Sequence, residues 1–378
     1  MKLKLSILLI VLLTARVFAQ EEIFPIPRRA YVNMGISFQM WQREKAGLPV
    51  DQLALPISIL IPLGRNLDLS ISHTPAFSKQ YKNQTIYGLS DTWVQGDYVF
   101  WNDKAMLNLG VGLPTGKTRL DSSQFELSKQ LSKNIYQFQL PIYGQGFSGM
   151  IGLAMAFPVV DGVVIGIGGE YLYRGSYYPV KYNYGGKSIN RIFDKRYTPG
   201  DEASGNIGVD IRIGENMKIM LDGIYTYYWN DILDGEIVYR SGNKFTGNLG
   251  FFYRFNQKYI WTHLIFRQKG RNELLQGLYF GEEEKNSNGS QIEINVVSKI
   301  IDYQNGEIFA LGEGRFYGKN QIGTGAVIAV GGGVGANYRF DRNTILDLQF
   351  KYILGQFRPP WKRSIEGLQT FAGLKFEL

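Results

Sequence analysis

The sequence predicts an all-β fold, a transmembrane antiparallel up-and-down β-barrel of about 16 strands, with 14–18 as the range that drifting boundaries allow. Three observations predict it. Period-two alternation of apolar and polar residues recurs along the chain while helical periodicity is nearly absent. The alternating segments exceed the usual soluble strand of about 5–6 residues. The connections between them are short, long, short, long without a break.

Taken from the N-terminus, Met1-Lys2-Leu3-Lys4 leads into an apolar run over 5–13, then Arg16 and Val17-Phe18-Ala19. A positive start, a short apolar stretch and a small residue before a cut form a signal peptide over 1–19. Cleavage after Ala19 leaves a mature chain from Gln20, and 20–378 reads as one barrel domain. The apolar run is too short for a helical span, and no later segment reaches that length. Residues 20–29 are too few to form a plug.

Alternation is clearest in three segments. Over 31–41, Val32, Met34, Ile36, Phe38 and Met40 oppose Asn33, Ser37 and Gln39. Over 205–213, Ile207, Val209, Ile211 and Ile213 oppose Asn206, Asp210 and Arg212. Over 344–354, Leu346, Leu348, Phe350, Tyr352 and Leu354 oppose Asp347, Gln349 and Lys351. The predicted strands are 30–42, 52–63, 66–75, 88–101, 104–113, 146–158, 162–174, 201–213, 216–229, 245–256, 258–269, 289–301, 306–317, 325–340, 343–354 and 365–378. Tight turns rich in Gly, Asn and Asp, such as Gly64-Arg65, Asn102-Asp103, Gly214-Glu215 and Asp341-Arg342, join alternate pairs. The other connections are 43–51, 76–87, 114–145, 175–200, 230–244, 270–288, 318–324 and 355–364. Segregating loop length by parity suits a membrane barrel with turns on the periplasmic side and loops outside.

Composition agrees. The chain has no cysteine, 45 glycines and 14% aromatics, mostly Tyr and Phe. An exported chain of this size without disulfides needs a core or a closed hydrogen-bonded sheet. The net charge is +8, and removing Lys2, Lys4 and Arg16 with the signal leaves 8 − 3 = +5. That balance does not suggest a nucleic-acid partner, no nucleic-acid motif appears, and none is expected.

The interior face carries the candidate site. By parity it holds Arg174, Arg212, Arg254, Arg315, Arg339, Lys218, Lys299 and Lys351, with Asp68, Asp97, Glu170, Asp210, Asp222, Glu293, Glu313 and Asp347. An Arg or Lys facing lipid at mid-membrane costs about 2–4 kcal/mol, so these charges must face water or one another. The longest connection, 114–145, is the third long one, and in general porins the third outer loop folds inward and narrows the pore. Its Lys117, Arg119, Lys129 and Lys133, set against Asp121 and Glu126, are the predicted constriction residues. Loop 175–200 carries Lys181, Lys187, Arg191, Lys195 and Arg196 among Tyr177, Tyr178, Tyr182 and Tyr184. Such loops suit lipopolysaccharide phosphates, anionic solutes or plain solvation.

Motifs that imitate soluble chemistry fail on context. Gly116-Lys117-Thr118 lacks the glycine five residues earlier, where Val111 stands, and no helix is expected after it. Gly144-Gln145-Gly146-Phe147-Ser148-Gly149 fits a dinucleotide spacing but leads into a strand rather than a helix. Met150 rules out a nucleophile elbow. His73 and His263 read as ordinary wall histidines, and Glu282-Glu283-Glu284 as a solvated run. No cofactor, metal or catalytic site is expected.

Two segments carry a resemblance. The terminal Gly373-Leu374-Lys375-Phe376-Glu377-Leu378 resembles the C-terminal signal by which outer-membrane barrels are inserted, with Leu378 where many end in Phe. Leu109-Gly110-Val111-Gly112-Leu113-Pro114-Thr115-Gly116-Lys117 resembles a strand-end motif of the phenol-degradation-pathway and FadL-like outer-membrane transporters. The first resemblance implies the barrel-assembly machinery as a partner, and the second implies uptake of small, often hydrophobic molecules. FadL-like proteins also carry an N-terminal hatch, for which residues 20–29 leave little room. Together with the signal peptide, these features place the chain in the outer membrane of a Gram-negative cell, among lipid and lipopolysaccharide. A passive channel for small solutes is the leading reading. A non-transport barrel (scaffold, adhesin or secretion component) is the second, and a barrel enzyme is the third.

Overall fold

The computed structural model describes residues 29–43, 47–80, 84–180, 183–184, 187–188, 195–358 and 362–378. The expected signal peptide 1–19, its expected cut and residues 20–28 lie outside the described residues. So do the side chains of Lys181, Tyr182, Tyr184, Lys187, Arg191 and Asp194 in loop 175–200.

The wall is one antiparallel sheet of nineteen segments; three adjoining pairs are halves of one strand, so 19 − 3 = 16 wall strands. They are β1 (Tyr31–Arg43), β2 (Gly47–Ala54 and Ile57–Pro62), β3 (Leu67–His73 and Ala76–Gln80) and β4 (Gln84–Gly88 and Thr92–Phe100). Next come β5 (Ala105–Leu113), β6 (Ser148–Val160), β7 (Val163–Arg174), β8 (Glu202–Ile213), β9 (Met217–Tyr228) and β10 (Lys244–Phe255). The last are β11 (Lys258–Lys269), β12 (Gln291–Tyr303), β13 (Gly306–Tyr317), β14 (Val327–Arg339), β15 (Thr344–Phe357) and β16 (Arg363–Glu377). Each pairs with its sequence neighbours, and β16 returns to β1 from Tyr31↔Glu377 to Arg43↔Ile365 without a register shift. Closure leaves no edge, which is the condition for a sheet in lipid, where an unpaired backbone group costs several kcal/mol.

Alternation sorts the two faces. Ile36, Ile207 and Leu348 are 54%, 59% and 43% exposed on the outside, whereas Ser37, Gln39, Trp41 and Ile353 on the opposite parity are buried. A contiguous apolar exterior of this extent is a lipid-facing surface. The turns at the end that holds both described termini are tight, and Gly64, Gly162 and Gly214 take positive φ there, a region open to glycine.

The structure differs from the sequence expectation in four places. Strands β2, β3 and β4 are interrupted at 55–56, 74–75 and 89–91. Pro56 and Pro75 have no N–H for the ladder. Carbonyl bonds bridge the interruption, Gly35 N–H to Pro56 O at 3.0 Å and Leu55 N–H to Pro75 O at 2.8 Å. Connections 43–51 and 76–87 are not long loops, because strand pairing runs to Arg43↔Gly47 and Gln80↔Gln84. Connections 230–244 and 270–288 form hairpins, Asn230–Leu233 with Glu236–Arg240 and Glu273–Gln276 with Tyr279–Glu282, joined with Tyr197–Thr198 into a five-stranded outer sheet. Loop 114–145 contains a helix, α1 (Ser122–Leu131).

Candidate functional site inside the barrel

Loop 114–145 leaves the rim between β5 and β6 and folds into the barrel. Its stem is drawn together by Asp91. Gly116 N–H donates to Asp91 Oδ1 at 3.0 Å and Gln145 N–H to Asp91 Oδ2 at 2.6 Å. The two arms touch at Gly116 and Gly144: a Cβ on Gly116 would meet the Tyr143 carbonyl, and one on Gly144 the Gly116 backbone. The glycines that imitate nucleotide motifs are therefore there for a close chain crossing.

A helix does follow Gly116-Lys117-Thr118, contrary to the sequence expectation, but it begins at Ser122. Its first amides are already used. Asp121 accepts from Gln124 N–H at 2.8 Å, and the Gln124 side chain accepts from Asp121 N–H at 3.2 Å, a capping box. Burial alone would raise the Asp121 carboxyl, but these bonds, with that of Ser123, hold it below its ordinary range. Such a cap contributes about 1 kcal/mol.

Beyond the helix the loop lies on the wall of β1–β4 and β12–β16. Leu127, Leu131, Ile135, Tyr136, Phe138, Leu140 and Tyr143 are buried against Trp41, Val50, Ala54, Ile86, Val327, Ala329, Ile353 and Ile365. This is the main apolar cluster among the described residues, and it sits inside the barrel. Two wall glutamines hold the loop backbone as a neighbouring strand would. Gln39 donates from Nε2 to Gln137 O at 3.0 Å and accepts from Gln139 N–H at 2.6 Å. Gln52 donates to Leu140 O at 2.7 Å and accepts from Leu140 N–H at 2.8 Å. The Tyr143 hydroxyl donates to Ile86 O at 3.0 Å, and burial pushes it up to about 12.

Arg315, wholly buried, fixes the loop from the opposite side. It bonds the Ile135 carbonyl and Glu313, and its guanidinium lies 5.2 Å from the centre of the Trp41 ring. Glu313 also takes Lys351 at 2.8 Å. Removing one member of such a buried set typically costs about 3–5 kcal/mol, since the partner charge is stranded.

The predicted constriction residues do not converge. Lys117 lies 5.1 Å over the Tyr87 ring at the rim, and Arg119 lies 4.9 Å over Tyr178. Lys129 pairs with Glu126 at 2.7 Å on the exposed side of α1. Lys133 alone sits at the loop tip, donating to Gln130 Oε1 at 2.7 Å. Burial, and then the nearby charge of Arg43, lower Lys133 to about 8. Arg43, which sequence reasoning missed, bonds the Tyr136 hydroxyl at 2.7 Å.

The other predicted interior charges fall into sets. Towards the outer end, Arg174 pairs with Glu202, and Glu293 takes Arg267 at 2.8 Å and the Tyr317 hydroxyl at 2.6 Å. Glu170 stands two residues from Leu172 on the same face of β7, near Glu202. In mid-wall, Asp97 bonds Asn108, Asp222 packs over Gly208, and Gln349 donates to Asp347 at 3.1 Å. Towards the tight-turn end, Lys218 meets Asp210 at 3.1 Å and Lys299 meets Glu307 at 3.6 Å. Arg212 and Arg254 lie next to the turns at that end, and Arg339 donates to Arg342 O at 3.0 Å. Asp68 lies opposite Asp97 in register. Arg267, Glu202, Lys244 and Lys269 were also missed, although the period-two pattern of β8, β10 and β11 carries them. His263 is buried in β11, and the His73 ring bonds the Thr92 hydroxyl at 3.0 Å. Glu283 accepts from the N–H groups of Asn272 and Ser287 at 2.9 and 3.0 Å.

No protein family and no curated relative matches the sequence. Solved structures do match. One described as a bacterial polysaccharide outer-membrane secretin is 9% identical, covers 93% of this chain and 99% of its own, and superposes with a TM-score of 0.50. A TodX monoaromatic hydrocarbon channel mutant is 8% identical, with coverage of 93% and 91% and a TM-score of 0.46. A mutant of Rh. blastica porin is 11% identical, with coverage of 92% and 100% and a TM-score of 0.38. The first likeness is one of fold alone, and the fold of this chain is a closed antiparallel β-barrel.

Proposed function

We propose that the protein is an outer-membrane channel for passive movement of small solutes, with loop 114–145 as its internal gate. The observation that carries this reading is the loop itself, drawn inside the barrel by Asp91, Gln39, Gln52 and Arg315. A barrel built only as a scaffold needs no such insertion. The paired charges on β7–β13 support it, because a polar wall inside a wide barrel suits hydrated solutes. The apolar exterior suits an outer membrane reached by export. The final strand, with Leu374 and Phe376 on one parity, suits recognition by the barrel-assembly machinery, and the basic outer loops suit lipopolysaccharide phosphates.

The test is single-channel conductance in planar bilayers, comparing wild type with a variant in which 119–142 is replaced by a short Gly-Ser linker. Conductance should rise severalfold in the variant. If both are silent while both insert and fold, the channel reading gives way to a non-transport barrel.

A further inference from the structure

Lys244 and Lys269 are 2% and 8% exposed, and they face each other directly across β10 and β11. Lysine is almost never so buried unless paired, and like charges directly opposite on a sheet destabilise it. Among the described residues neither ammonium has an ion-pair or hydrogen-bond partner. The carboxylates whose fields reach them are committed elsewhere, Glu202 to Arg174 and Glu283 to the Asn272 and Ser287 amides. Arg267 stands on the same face one turn of the pleat below Lys269, its charge shared with Glu293.

These three cations open into one cavity of about 210 Å³. Its remaining lining comes from the outer segments 287–291 and 317–325, with Ser287, Ser290, Gln291 and Asn320 among the polar groups and no carboxylate. The segments are themselves fixed. Ser287 Oγ accepts from Asn272 Nδ2 at 2.9 Å and bonds the Glu283 carboxylate, and Asn320 Nδ2 ties to Ser287 O at 3.0 Å. Two buried ammonium groups without a direct carboxylate partner, joined by a guanidinium in one pocket that no carboxylate lines, suit an anion.

We propose that this pocket binds a small oxyanion, a phosphate or the phosphate-like group of a small solute, at the outer end of the barrel interior. At about 30 Å³ per water the volume is that of several waters, and it falls below the usual 300–1,000 Å³ or so of pockets for drug-sized ligands. The inference extends the channel reading to a class of solute, but the binding it asserts does not require conduction.

The experiment is calorimetric titration of potassium phosphate into the refolded full-length barrel in detergent, with ionic strength held by chloride. Wild type should show saturable binding, weakened about tenfold or more in Lys244→Gln and in Lys269→Gln. Lys258→Gln, at the exposed periplasmic end of β11, should bind as wild type does. Phosphate should also raise the unfolding temperature of wild type more than chloride of equal ionic strength, which needs no variant to fold. Absence of saturable binding, or equal binding in the lysine variants, overturns the proposal. Binding by a barrel that conducts nothing leaves the pocket standing and removes only the channel.

Discussion

At the scale of single residues, side-chain parity decides what each position tolerates. Leu348 projects 43% exposed into the lipid belt, and Gln349 turns inward to Asp347. Leu348→Arg should lose about 2–4 kcal/mol and fold poorly, whereas Gln349→Arg gains a carboxylate neighbour and should fold as wild type does. Folding yield, read as the heat-modifiable band on a gel, distinguishes them, and equal yields would invert the assignment of faces. This much was legible in the sequence because a strand's side chains alternate whatever surrounds them. What a residue bonds to was not legible. Gln39 and Gln52 look like ordinary interior polar positions, and nothing local says that each clamps a backbone segment about a hundred residues away.

At the scale of elements, the inward loop behaves as a docked ligand with its own titration. Lys133 is lowered to about 8 on docking, while a free lysine titrates near 10.4. Between those values the docked loop binds fewer protons than a released one, so docking strengthens as pH rises through the window. Below about 8 the buried charge opposes docking in full. Channel conductance should therefore fall as pH is raised from 7 to 10, and Lys133→Met should flatten the profile. Tyr143, pushed up to about 12, stays neutral throughout. A wild-type profile as flat as the variant's would disconnect this lysine from the gate. The sequence exposed the loop's length but not its helix, since Phe125, Leu127 and Leu131 mark too short an apolar stripe amid polar residues. The outer hairpins were hidden too, because 230–240 and 273–282 hold short pairings that satisfy one another rather than a patterned face.

At the scale of the molecule, stability is a property of the ring. The ladder from Tyr31↔Glu377 to Arg43↔Ile365 removes the last two edges. Truncation after residue 370 would unpair β1 from Tyr31 to Ser37 and leave both edges facing hydrocarbon. The loss should be all-or-none: no heat-modifiable species should remain, rather than a slightly weakened barrel. A truncated chain that still migrates as a compact form would show that the seam is dispensable. The strand count followed from alternation, although two of the eight connections expected to be long are closed by strand pairing. The interruptions in β2–β4 did not, since a proline in a long strand signals a defect without showing that its neighbours share it at the same level.

The loop's attachment points lie on both sides of the seam, Gln39 on β1 and Arg315 on β13. They belong to strands far apart in sequence and become neighbours only when β16 meets β1. The interior is thus filled by the same event that seals the wall. A half-assembled ring offers only the β1–β4 side of that surface, so the loop's full set of contacts requires the closed wall.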